Sequence, residues 1–250
     1  MNWNSFFRLL FRLGIQLAAA AFLYCLWHGT QLHENTAAEA EGISTLILLI
    51  ASIYSVMFAF VVYVIWGQFI DVENFMMREC KSLNELLRFG DFLNPDAARS
   101  IRRAVADYVQ RVAKSEWTAL GERRRDRASE QAFSELLDGV LHIVPANAQE
   151  GVVHQRLIDT ARETGGHRDE RLTKSLTQIP ATLIYLVRTM EIGLVLLVFF
   201  YPFHHLAAGL CCFMLVAIIL SLANVVMTDT DNPFKGVYNI QPKAFLDLKT

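Results

Sequence analysis

Residues 43–69 read ISTLILLIASIYSVMFAFVVYVIWGQF, a stretch of 27 residues without a charged side chain. A helix of this length extends about 40 Å, whereas the hydrocarbon core of a bilayer is about 30 Å thick. The stretch therefore predicts a transmembrane helix that reaches beyond the bilayer.

The residues after Phe69 keep a helical pattern. Apolar side chains recur every three or four positions, at Val72, Phe75, Met76, Cys80, Leu83, Leu86 and Leu87. Charged side chains, among them Arg78 and Glu79, fill the other positions, as expected for an amphipathic helix. We predict one long helix from Ile43 to about Phe89 that couples a membrane domain to a cytoplasmic one.

The composition excludes several classes of protein. Hydrophobic residues make up 53% of the chain and charged residues 19%, values typical of a membrane protein. The formal net charge of −2 argues against binding to nucleic acid. The four cysteines have no CxxC spacing, and no phosphate-binding or catalytic motif is present, so the sequence supports neither a cofactor nor an enzyme.

The apolar segments predict an all-α membrane protein with four spans. The spans are residues 8–27, 43–69, 180–201 and 206–227. They form a first hairpin (1–69) and a second hairpin (180–227), separated by a helical region (70–179) and followed by a tail (228–250).

Positive charge predicts the orientation of these spans. Residues 70–179 hold 17 of the 23 Lys and Arg residues, whereas the two short loops between paired spans hold none. The positive-inside rule places both termini and the long middle region in the cytoplasm of an inner-membrane protein.

The middle region is predicted to be a cytoplasmic helical bundle. Asn94-Pro95 begins one helix that ends near Trp117, and residues 121–127 form a charged break. A second helix is stopped by Pro145, and a third either breaks at Gly165-Gly166 or tolerates these glycines.

Two ionisable side chains lie inside the third span, Arg188 and Glu191 at i, i+3 spacing. Ionisable groups at membrane depth face protein or water, because exposure to lipid is costly. They either line an ion path or form an intramembrane pair that fixes helix packing.

The second span has two candidate faces. Ser52, Val56 and Phe60 recur every four residues on one face, and small residues including Ser55 and Ala59, with Val62, occupy the neighbouring face. Such faces are either helix contacts or the apolar lining of a pore.

Four histidines are predicted outside the cytoplasm, and their spacing favours solvated side chains over a metal site. They are His28, His33, His204 and His205.

Short motifs in a fixed order resemble the bacterial bestrophin-like membrane proteins, from about Ile43 to Phe245. The motifs are VIWGQF (64–69), Arg78-Glu79, Tyr108, Glu116-Trp117, RDERL (168–172), Ile179-Pro180 and DNPFKG (231–236). Within these motifs, the resemblance implies a structural role for Glu116, Trp117, Arg171, Pro180, Asp231, Pro233, Phe234 and Gly236.

The resemblance implies a homopentameric ion channel whose second helix lines a narrow apolar neck. Ala59-Phe60 matches a Gly-Phe pair of bestrophins, which places Val56 and Ser52 at the preceding lining positions. The expected partners are the lipid bilayer, further copies of the chain and inorganic ions. Lys235 stands where calcium-gated members begin an acidic run, so calcium gating is not implied. The alternative is a non-conducting membrane scaffold that acts through its cytoplasmic bundle.

Overall fold

A computed structural model describes residue 14 and residues 18–30, 36–235 and 239–248 of the chain. Every regular element in these ranges is helical, and no strand occurs in them. The prediction of an all-α fold is confirmed for the described residues.

One helix is much longer than the others. After a short apolar helix, α1 (Ala18–His28), and a 3₁₀ turn (Thr36–Glu39), helix α2 runs over the 51 residues Ala40–Gly90. At about 1.5 Å per residue it extends about 77 Å. It continues without a break where the apolar pattern becomes amphipathic, as predicted.

The remaining helices follow in chain order. They are α3 (Pro95–Arg111), α4 (Trp117–Gly121), α5 (Arg127–Leu141), α6 (Ala148–Leu176), α7 (Ala181–Phe200), α8 (Leu206–Thr230) and α9 (Lys243–Leu246). Asn94, Asp126 and Asn147 cap the N-termini of α3, α5 and α6, where each side chain accepts a bond from the backbone N–H three residues later. The caps satisfy amides that have no partner within their own helix.

The helix that begins at Pro95 continues past its predicted end near Trp117. One π-helical turn, Val112–Glu116, joins α3 directly to α4, which ends at Gly121. A π turn accommodates an extra residue within a helix. Here it ends at Glu116, which is fully buried.

Helix α6 runs through Gly165-Gly166, so these glycines are tolerated and do not break it. A Cβ at Gly165 would lie 3.4 Å from the ring of Phe133 on α5. Each glycine costs about 1 kcal/mol in a helix interior, which the buried contacts of Ala161 and Leu172 on the same helix offset.

The chain forms two compact units. The first contains residues 1–65 and 179–231, and the second contains residues 66–178 and 232–250. The main core of the first unit consists of Tyr54, Val61, Ile65, Ile179, Val187, Leu194, Leu220 and Met227. The core of the second unit joins the amphipathic half of α2 to α3, α5 and α6, and includes Val72, Leu83, Ile101, Val105, Leu136, Leu157 and Leu172.

Three described stretches are long and apolar enough to cross a membrane. They are Ala37–Gly90, Ala148–Phe200 and Leu206–Thr230. The described part of helix α1 has an apolar composition and spans about 16 Å. Of the predicted first span, residues 8–27, only residue 14 and residues 18–27 are described. The count of four spans therefore stays a prediction.

Candidate functional site

The candidate pore stripe consists of Ser52, Val56 and Phe60 on α2. All three are exposed, Val56 to 71% and Phe60 to 51%. The Ser52 hydroxyl donates to the carbonyl oxygen of Leu48 at 2.7 Å, so its hydrogen-bonding capacity as a donor is met within the helix. No described part of the chain covers this stripe.

The opposite face of α2 holds the helix in its own unit. Tyr54, Val61 and Ile65 are buried there. Two residues along a helix correspond to a rotation of about 200°, so Tyr54 lies nearly opposite Val56. Ser55 and Ala59 are exposed, so the contacts of α2 within its own chain do not use them, and a contact of the Ser55/Ala59/Val62 face with other copies stays a prediction.

A buried polar contact joins this inner face to α7. The Tyr54 hydroxyl donates to Oε1 of Glu191 at 3.1 Å, and both residues are less than 10% exposed, at 8% and 7%. Arg188 is exposed one turn earlier on α7. Tyr54 was not predicted as a site residue, because a single tyrosine in an apolar run does not indicate its partner. The Arg188–Glu191 pair itself stays a prediction.

Four charged side chains form a buried cluster in the second unit. Arg171 Nε donates to Glu79 Oε2 at 2.7 Å, and Arg171 Nη2 donates to Glu116 Oε1 at 2.7 Å. Arg168 Nη2 donates to Glu116 Oε2 at 2.8 Å. Two carboxylates and two guanidinium groups balance in formal charge, which a buried cluster requires because unpaired charges are very costly away from water.

Aromatic side chains enclose this buried cluster. The Tyr108 hydroxyl donates to Glu79, and the guanidinium of Arg171 lies 5.7 Å from the ring centroid of Trp117 and 5.4 Å from that of Phe245. Burial raises the pKa of Tyr108 well above its ordinary value, and the negative charge of Glu79 raises it further. The cluster is closed to solvent and links α2, α3, α4 and α6, so its role is structural support.

Glu79 is buried, although the amphipathic pattern of α2 places it among the charged positions. It is 0% exposed. Its position carried a signal, since it follows Met76 by three residues and precedes Leu83 by four, which is the spacing of the apolar stripe. Arg168 and Arg171 likewise share the buried face of α6 with Leu157.

The tail after α8 packs on Trp117. Its indole Nε1 donates to the carbonyl oxygen of Ile240 at 2.8 Å, and the ring of Phe234 meets it edge-on at 5.1 Å. The amide of Asn232 donates to the carbonyl oxygen of Gly121 at 3.0 Å. The motif residues Trp117 and Phe234 are therefore in contact.

The other motif positions lie at helix ends. Pro180 directly precedes α7, where its carbonyl oxygen accepts from Leu183 N–H at 2.9 Å. Asp231 follows the last residue of α8, and the Pro233 carbonyl oxygen accepts from Ile240 N–H at 2.7 Å. Gly236 lies outside the described residues.

Three of the four histidines expected outside the cytoplasm belong to the described residues. His28 Nε2 lies 3.2 Å from the carbonyl oxygen of Phe203, and His204 and His205 precede α8. His33 lies outside the described residues. Among the residues that are described, no group of three or more His, Cys, Asp or Glu is placed to hold a metal ion.

Comparison with known proteins gives a family over most of the chain. The family model described as Bestrophin-like domain matches residues 16–245. No curated protein matches the sequence.

Solved structures share the fold. A crystal structure of a mutant bacterial bestrophin homologue from Klebsiella pneumoniae has a TM-score of 0.73 at 12% identity, covering 95% of this chain and 96% of that chain. A second structure of the homologue from this organism, phased with zinc, has a TM-score of 0.70 at 10% identity and covers 94% and 93% of the two chains. At such low identity the likeness shows the fold alone, over nearly the whole length of both chains.

Proposed function

Because the chain belongs to the bestrophin-like family, we propose that it is a homo-oligomeric ion channel of the bacterial inner membrane. In this proposal five copies surround a central axis, and each contributes four spans with both termini in the cytoplasm. Small inorganic ions pass through a neck lined by α2. The second compact unit belongs to the cytoplasmic helical portion.

The observation that carries the proposal is the exposed candidate pore stripe. Val56 and Phe60 are exposed to 71% and 51%, on the side of α2 opposite its buried face. In a ring of copies this side is free to face the axis, where each position forms one ring of identical side chains. Rings of valine and phenylalanine make an apolar constriction, which gates by losing its water.

The chemistry of the stripe limits how the neck selects ions. Residues 43–69 contain no charged side chain, so a charged ring within this span does not contribute to selectivity. The hydroxyl of Ser52 is already bonded to Leu48, which leaves its oxygen lone pairs to face the lumen.

Planar bilayers containing the purified protein test conduction directly. We expect unitary currents from the wild-type chain and larger ones from Phe60→Ala, because a smaller side chain widens and wets an apolar constriction. Leu215→Ala on α8 is the matched control, since Leu215 is 58% exposed and lies outside the stripe. Its currents should equal those of the wild type.

The mass and symmetry of the purified particle provide the second test. A ring with an axial opening beside α2 supports the channel. A well-folded monomer or dimer, with bilayers silent for both the wild type and Phe60→Ala, would overturn it in favour of the non-conducting scaffold.

A further inference from the structure

We propose that Glu191 is a positioning residue that acts through Tyr54 to set the rotation of α2 about its own axis. This inference rests on the proposed channel function, because the rotation of α2 decides which face lines the neck. The two residues belong to the same compact unit, and their contact is the 3.1 Å hydrogen bond from the tyrosine hydroxyl to Oε1.

The apolar surface of α2 leaves its rotation weakly determined. Within residues 43–69, apolar side chains occur on every side of the helix, and Val56, Phe60 and Tyr63 are as bulky as the buried Val61 and Ile65. Lipid tails solvate any of these faces equally well, so hydrophobicity alone does not select one. A slip of one residue rotates every side chain by about 100°.

Glu191 occupies a position that an apolar residue would fill. The buried residues of α7 are Val187, Glu191, Leu194 and Val198, spaced by four, three and four. A carboxyl group in this stripe is costly in a membrane unless a partner compensates it. The hydroxyl of Tyr54 supplies a hydrogen bond to it, which requires a rotation of α2 that turns Tyr54 toward α7.

The geometry connects this bond to the candidate pore stripe. Tyr54 and Val56 differ by about 200° around α2, so anchoring the tyrosine at the back of the helix turns the valine outward. A buried polar contact of this kind specifies register, as single polar residues do in coiled coils. Tyr63, on the exposed face, is 76% exposed and has no such anchoring role.

A spin-label scan of residues 51–60 in lipid vesicles, leaving out position 54 so that Tyr54 is kept, measures the rotation of α2. Each label is attached to a single cysteine in a chain whose own Cys25, Cys80, Cys211 and Cys212 are replaced by alanine. Accessibility to oxygen and to an aqueous nickel chelate then varies along the helix with a period of about 3.6 residues, and its phase reports which face is exposed.

Four variants separate positioning from general stability. Tyr54→Phe and Glu191→Leu should shift the phase or flatten the variation, whereas Glu191→Gln keeps an acceptor oxygen and should restore the wild-type phase. In the first two variants the equilibrium between the wild-type rotation of α2 and its alternatives should shift about tenfold, because a buried bond to a carboxyl group is worth about one decade in equilibrium. The contrast in accessibility between labels at the exposed position 56 and the half-buried position 58 reports this shift. Tyr63→Phe should change nothing.

An unchanged phase in both Tyr54→Phe and Glu191→Leu would overturn the inference, as would a phase shift in Glu191→Gln equal to that in Glu191→Leu. The scan measures the accessibility of the labels and not ion conduction, so its result can be judged separately from the proposed function. Silent bilayers with an intact wild-type phase and a shifted Tyr54→Phe phase would reject the channel and keep the positioning role.

Discussion

The guanidinium of Arg171 donates to the carboxylate of Glu79 at 2.7 Å, although the two residues are 92 positions apart in the sequence. Both side chains are 0% exposed. The contact fastens the amphipathic half of α2 to α6 in the second unit. Through Glu116, the same arginine also reaches the π turn that follows α3. Three segments distant in sequence thus converge on one side chain.

Removing Arg171 should strongly destabilise the protein. Arg171→Leu leaves two buried carboxylates with one remaining guanidinium, and breaking a buried pair in this way costs about 3–5 kcal/mol. Arg171→Lys keeps the charge but loses the two-pronged geometry, so we expect an intermediate loss. Chemical denaturation of the detergent-solubilised protein measures both values.

The exposed pair Arg102–Asp91 provides the control for this prediction. Its side chains are 48% and 58% exposed at a separation of 2.7 Å. Arg102→Ala should cost less than about 1 kcal/mol, because solvent screens exposed pairs. Equal losses for Arg171→Leu and Arg102→Ala would contradict a supporting role for the buried cluster.

Tyr108 should make the protein sensitive to alkali. Burial and the charge of Glu79 raise the pKa of Tyr108 in the folded state, so below its ordinary value of 10.0 it contributes its full stability. Above that pH the unfolded chain releases the proton while the folded chain retains it. The free energy of unfolding then falls by up to about 1.4 kcal/mol per pH unit until the raised pKa is reached.

Comparison with Tyr108→Phe isolates this contribution. The variant loses the hydrogen bond to Glu79 and is less stable at neutral pH, but its stability should decline less steeply above pH 10.0, the ordinary tyrosine pKa. Unfolding curves recorded across that range measure the difference in slope. Parallel slopes for the two proteins would refute the assignment.

Asp126 should stabilise α5 through its cap. Its Oδ2 accepts from Ser129 N–H at 3.1 Å and from the Ser115 hydroxyl at 2.7 Å. Asp126→Ala should cost about 1 kcal/mol, whereas Asp126→Asn keeps an acceptor and should cost less. Thermal unfolding of the two variants side by side ranks them, and the reverse ranking would exclude capping as the cause.

The same residue predicts a response to acid. Burial tends to raise the pKa of Asp126, but the hydrogen bonds from Ser129 and Ser115 outweigh it and lower the pKa below 3.8. Its stabilising contribution is therefore complete above pH 3.8 and is lost as the pH falls through the lowered value. Asp126→Asn should abolish this part of the acid dependence.

Gly209 on α8 should tolerate no side chain. A Cβ there would overlap the hydroxyl of Tyr24 and lie 2.9 Å from Cβ of Phe203. Gly209→Ala should cost about 1–3 kcal/mol through overpacking. Thermal unfolding measures the loss, and Gly193→Ala is the control because a Cβ at Gly193 meets nothing within 4 Å.

Tyr24→Phe tests the other side of this contact. The Tyr24 hydroxyl is buried and has no hydrogen-bond partner among the described residues. Its removal should be neutral or stabilising, since a buried unpaired hydroxyl costs about 1–3 kcal/mol. Combined with Gly209→Ala, it should recover part of the loss, and a strongly destabilised Tyr24→Phe would contradict the contact.

Patterns within single helices made much of the fold predictable. The absence of charge in residues 43–69 and the amphipathic spacing that follows predicted one continuous helix, and the Asn94-Pro95 pair predicted where α3 begins. Each of these signals depends on neighbours within one or two turns, so the sequence alone contains it. The candidate pore stripe was equally visible as a repeat of four, although its role stays a prediction.

Contacts between helices were not predictable in the same way. Glu79 occupied a position with the spacing of the apolar stripe, but only tertiary packing brought Arg171 to it. The charge of Arg171 compensates the cost of burying the Glu79 carboxylate. Tyr54 and Glu191 are 137 positions apart, and nothing local indicates their bond. Which face of α2 packs within the chain was equally beyond the sequence, because a helix that is apolar on all sides gives no period from which to choose.

The sequence by itself determined the helical elements, their apolar character and the family, since these depend on local spacing and on short motifs in order. Only the tertiary structure decided which side of α2 is buried and which charges share one closed cluster. The physical reason is that burial and hydrogen bonding are properties of pairs of elements. In an uncharged helix such as residues 43–69, the buried and the exposed face become distinct only through contacts such as the bond between Tyr54 and Glu191.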